Sequence, residues 1–117
     1  MTLRDLQPEA IDALDAARAR AVEVVDPSLM ELVTDRIAVS LAGARPQCEA
    51  TTDRERAVCA VIDQTLVDVA GIEDETVRHA SSYFDDGELA DLVMAAYIVE
   101  ARTRLTIGAD RLLGGLG

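Results

Sequence analysis

Apolar residues recur along this chain at the three-to-four-residue spacing of helices, and no stretch of useful length alternates apolar and polar positions as a strand would. Ile11, Leu14, Ala17, Ala21 and Val24/Val25 mark a first helix over residues 8–25, opened by Pro8, whose missing N–H costs nothing in a first turn. Thr2 and Asp5 before it fit a capping box. Asp26-Pro27 then reads as an N-cap followed by a first helical residue. A second helix over 27–42 places Leu29, Leu32, Val33, Ile37 and Leu41 on one face, and Gly43 suits a left-handed stop. Residues 44–50, with Pro46, carry little pattern and read as a loop.

Thr52-Asp53-Arg54-Glu55 is a second capping box. It opens a helix over 53–70 with a buried stripe of Val58, Val61, Ile62, Thr65, Leu66 and Val69, ended by Gly71. A short helix over 73–83 turns Val77, Ala80 and Phe84 inwards. One of the aspartates in Asp85-Asp86-Gly87 caps a long helix over 87–107. Residues 92–99 of that helix are apolar on every side, and such a segment must be covered on every side, in part by other subunits. Gly108 breaks the pattern, residues 109–113 add one more turn, and 114–117 fray. With no Gly/Ser linker and no repeat, residues 1–117 read as a single all-α domain, a bundle of about five helices.

Composition narrows the partners. The net charge is -11, and only Tyr83, Phe84 and Tyr97 are aromatic. Nucleic acid and anionic membranes are therefore excluded as expected partners. Every base is Arg; with no Lys, lysine Schiff-base chemistry is absent, and the usage fits a GC-rich bacterial genome. MTLRDLQPEA lacks an apolar signal core, and the apolar run over 92–99 is too short to span a bilayer, so a cytoplasmic location is expected. Two cysteines do not form a secreted-type disulfide framework.

The ordered series in the second half, TTDRERAVCAVIDQTLVDVAGIEDETVRHASSYFDDGELADLVMAAYIVEARTRLTIGADRL, resembles the C-terminal part of the carboxymuconolactone decarboxylase/alkylhydroperoxidase D-like family. The shared pattern is an acidic–basic D-R-E-R-A opening, an aliphatic helix, a short helix ending in an aromatic, and D-x-E-L-x-D-L-V leading into a long helix with Tyr and Arg. LMELVTDRIAVSLAG is similar, more loosely, to the helix that leads into that family's active site. The resemblance implies an AhpD-like helical scaffold assembled as a homo-oligomer. In its redox-active members a glutamate precedes a Cys-x-x-Cys pair followed by a histidine. Glu31 falls one residue out of register with that glutamate. The paired cysteines would fall near Ala44 and Gln47, with Cys48 beside the second. A dithiol peroxidase needs an attacking thiolate and a resolving thiol close by, so the departure bears directly on activity.

The residues leave several chemistries open. Tyr97, Glu100 and Arg104 share one face of the long helix. Tyr97 as donor, Glu100 as base and Arg104 or Arg102 as anion clamp would form an acid–base site; the same spacing also suits an intrahelical or inter-subunit ion pair. Glu31, Asp35 and Arg36 form a second polar cluster, with Glu31 as base and Arg36 as ligand contact, or simply a solvated face. Cys48 and Cys59 form a displaced redox pair or are a loop thiol and a packing residue. His79, the only histidine, is a proton shuttle oriented by Glu75 or an ordinary helix residue. No metal site and no cofactor motif is apparent. Three functions follow: a small-organic-molecule binder or non-thiol enzyme working by acid–base chemistry, a divergent thiol oxidoreductase through Cys48 and Cys59, or a non-catalytic assembly protein.

Overall fold

The computed structural model describes residues 3–67 and 71–113. Among them are six helices and no strand: α1 (Leu3–Leu6), α2 (Pro8–Val24), α3 (Pro27–Ala42), α4 (Asp53–Val67), α5 (Asp74–Ser81) and α6 (Asp86–Leu113). The all-α expectation therefore holds, with one element more than the pattern implied: the single turn α1 precedes Pro8. The Thr2 cap, the Val69 position and the fraying of 114–117 lie outside the described residues.

The helix starts are set by local chemistry. The Asp26 carboxylate accepts from the Ser28 N–H at 2.9 Å and caps α3. Thr52 and Glu55 exchange hydrogen bonds at the head of α4, with the Glu55 N–H donating to Thr52 Oγ1 at 3.1 Å. Asp85 does the same with Glu88 at α6: the Glu88 N–H donates to Asp85 Oδ1 at 2.7 Å.

Core formation follows from the stripes. α3 sits between α6 and α4, α2 lies along α6, and α5 packs mainly on α4. Leu29, Met30, Val33 and Ile37 of α3 meet Val58 and Ile62 of α4 and Leu92, Ala95, Ala96 and Val99 of α6. Val33, Ile37, Val58 and Ile62 are fully enclosed; each contributes roughly 1.5–3 kcal/mol through burial. A smaller cluster, Ala57, Val61 and Ala80, seats α5 on α4. Phe84, just after α5, joins the main core, with the Arg54 guanidinium 4.4 Å above its ring.

Two details differ from the sequence expectation. Val77 is exposed, because α5 buries only Ala80. α6 runs without interruption through Gly108, making 28 residues, or about 42 Å at the α-helical rise; it accounts for most of the 48 Å long axis. Within the single chain the apolar run over 92–99 buries Leu92, Ala95, Ala96 and Val99, the part of its cover that this chain itself supplies. Met94 remains 58% exposed, and Leu105 and Leu112 further along are exposed too. No helix among the described residues is long and apolar enough to cross a membrane.

Candidate functional site

α3 is the element on which the site is built. Its inward face is spent on the core, which leaves Glu31, Thr34, Asp35 and Ala38 along the other side. Gly43 ends the helix at φ 66°, in the left-handed region where a side chain would be strained. The Ala44 N–H donates back to the Ala38 carbonyl at 3.3 Å, and residues 43–52 return along α3. Asp35 holds that return. Its Oδ1 accepts from the Gln47 N–H at 2.9 Å and its Oδ2 from the Cys48 N–H at 3.2 Å.

The returning loop makes two clefts. The larger, about 910 Å³, lies between α2, α3 and the loop. Val22, Pro27, Met30 and Ala38 give it an apolar floor; Arg18, Glu31, Arg45 and Cys48 supply its functional edges. The second, about 510 Å³, shares Asp35, Gln47 and Cys48 with the first and is lined also by Leu32, Arg36, Glu49 and Cys59. The structure thus brings Glu31, Asp35 and Cys48 onto one groove and both cysteines onto one cleft.

The electrostatics of the thiols are those of unreactive cysteines. Burial pushes the Cys48 thiol up from its ordinary value, and the Asp35 and Glu31 carboxylates push it further. Burial likewise raises Cys59; Arg36 opposes this, while Asp63, Glu55 and Asp35 reinforce it. Both cysteines are free. Arg36 is committed elsewhere: its guanidinium grips Asp63 on α4 in a two-point contact, with Nε 2.8 Å from Oδ1, and that hydrogen-bonded carboxylate pushes the Arg36 guanidinium well above the ordinary arginine range.

On α6 the expected residues fall into ion pairs. Arg104 Nε donates to Glu100 Oε1 at 3.0 Å, one turn apart, with the Glu100 side chain 18% exposed. Arg102 Nη2 lies 2.8 Å from Asp15 Oδ1 on α2. That oxygen is buried and accepts no well-aligned hydrogen bond, so the contact is chiefly ionic. Arg4 binds both Asp12 and Asp15. Tyr97, Glu100 and Arg104 line neither the groove nor the second cleft. His79 is exposed on α5, edge-on to Tyr83 with ring centroids 5.3 Å apart. Among the described residues no group of three or more His, Cys, Asp or Glu side chains could hold a metal ion.

Two groove residues had no signal in the sequence. Arg18 reads as part of the solvated face of α2, and Arg45 as a loop charge. Among the described residues neither forms an ion pair, in a chain with 22 acidic side chains. Compared with known proteins, the chain matches no family profile and no curated sequence.

Proposed function

We propose that this chain binds a small organic molecule in the groove between α2, α3 and residues 43–52, on an AhpD-like scaffold, with Glu31 as the base that faces the ligand. One observation carries the reading: the groove sets an exposed carboxylate and two arginines without ion-pair partners around an apolar floor. Such a surface takes up an apolar body and orients it through a few polar groups. The resemblance of the second half of the chain to the carboxymuconolactone decarboxylase-like family supports the same reading, and so does the absence of its Cys-x-x-Cys pair. Thiol chemistry is the weaker alternative. Cys48 and Cys59 do line one cleft, but both thiols are held in the protonated, unreactive form. Self-association and a cytoplasmic location belong to the same proposal, the former supported by the exposed Met94, Leu105 and Leu112 of α6.

A titration with small organic acids, followed by amide chemical shifts, tests it. Perturbations should centre on Val22, Met30, Ala38 and Cys48. Shifts that bypass these residues, or none at millimolar ligand, would sink the reading. Retained turnover of a bound ligand by Glu31→Gln would remove Glu31 as base without touching the binding claim.

A further inference from the structure

The groove does not end at α3. Arg18 and Thr34 line it, and the same two residues line a further cleft of about 540 Å³ that extends to Thr103, Thr106 and Asp110 on α6. We infer that the two clefts are subsites of one trough, built for an amphipathic organic monoacid whose polar end donates hydrogen bonds. This rests on the groove being a ligand site and adds the class of ligand.

The argument begins with the threonines. Thr34 donates its hydroxyl proton to the Met30 carbonyl at 2.8 Å, Thr103 to Val99 at 2.7 Å and Thr106 to Arg102 at 2.9 Å. Each hydroxyl has one proton, and here each proton is spent inside its own helix. What the three side chains can still offer is lone pairs. The Asp110 carboxylate adds further acceptors. Arg102 shares the cleft, but its charge is engaged by Asp15 at 2.8 Å. That end of the trough therefore receives an ammonium or hydroxyl group, not an anion.

Arg18 stands at the junction with no carboxylate partner among the described residues. A guanidinium in that state favours a carboxylate, which it can hold through two parallel hydrogen bonds. A second anionic group would face Glu31 or Asp110, and Arg45 on the loop edge is the other guanidinium in the lining without an ion pair among the described residues, so the junction at Arg18 is the place for a single carboxylate. Beyond Arg18, Val22, Met30 and Ala38 take the apolar body. The order along the trough is apolar body, carboxylate, hydrogen-bond donor.

Three eight-carbon probes separate these contributions on the full chain, with dissociation constants taken from amide-shift titrations. Octan-1-ol supplies the apolar body, octanoate adds the anion, and 2-aminooctanoate adds the donor. Octanoate should bind roughly tenfold tighter than octanol, as for one charge-assisted contact, and 2-aminooctanoate should bind tighter again. Arg18→Gln should abolish the octanoate advantage and leave octanol unchanged, whereas Arg20→Gln, on the exposed side of α2, should change nothing. A Thr103→Val/Thr106→Val double variant should erase the gain from the amino group while octanoate binding stays as it was. An octanoate preference that is absent, or that survives Arg18→Gln, overturns the inference and leaves the groove reading standing. If none of the probes shifts Val22, Met30 or Ala38, the groove reading falls and this inference with it.

Discussion

The backbone N–H of Cys48 donates to Oδ2 of Asp35 across 3.2 Å, while Gln47 occupies the other oxygen of the same carboxylate at 2.9 Å. One half-buried side chain on α3 thereby fixes the loop that separates α3 from α4, and with it a wall of both clefts. Asp35→Ala should cost on the order of 1.5–3 kcal/mol, the range for hydrogen bonds to a charged acceptor. Limited proteolysis should then begin within residues 43–52, ahead of any cut in the helices. Chemical denaturation with unchanged midpoint, or unaltered cleavage, would show that the loop is held by something else.

The same carboxylate has an electrostatic consequence for the thiol it positions. Burial first, then Asp35 and Glu31, hold Cys48 in its protonated form. The rate of alkylation against pH should therefore show a midpoint above about 8.5, the free-cysteine value, and slow reaction at neutral pH. Glu31→Gln removes one of the two named charges and should bring the midpoint down. A wild-type midpoint at or below the free value would instead mark Cys48 as an activated nucleophile and revive the thiol reading.

What the sequence discloses, and what it hides, divides along contact distance. The starts of α3, α4 and α6 follow from Asp26, Thr52 with Glu55, and Asp85 with Glu88, all signals contained within three or four residues. The Glu100–Arg104 pair is of the same local kind. The groove is not. Asp35 meets residues 12 and 13 positions away, and Arg18 reaches the groove only because α2 and α3 pack on a common partner, α6. Neither α2's periodicity nor the loop's composition encodes that arrangement. Val77 failed for a related reason: an eight-residue helix has room to bury little beyond Ala80.

Gly108 shows tertiary support overriding a local breaker. Its propensity argues for a stop, yet α6 continues through it to Leu113, with Ile107 and Ala109 half-buried beside it. A Cβ added at Gly108 would meet nothing within 4 Å, and its φ is not in the left-handed region. Gly108→Ala should thus stabilise the chain by about 0.5–1 kcal/mol, through helix propensity and a less flexible unfolded state. A higher thermal midpoint checks this. A lower one would show that another surface approaches the bare backbone at that point, as close subunit packing would require.

The cap of α4 sets an acid limit on stability. Glu55 Oε1 accepts from the Thr51 N–H at 3.1 Å, the Thr51 hydroxyl at 2.9 Å and the Thr52 N–H at 3.1 Å, and these donors hold the carboxyl below its usual range. Asp26 is lowered in the same way by the Ser28 hydroxyl and N–H. For both groups the unfolded chain binds the proton more readily than the folded one. Stability is therefore fully present above the unfolded-state value and is lost as pH falls through the folded-state value. Unfolding measured from neutrality downward should show stability declining below about pH 5. Glu55→Gln should be less stable than the wild type at neutral pH, lose part of that slope, and converge with it in strong acid. Parallel curves for the two proteins across the whole range would mean that the Thr51 and Thr52 donors favour the neutral carboxyl as much as the carboxylate.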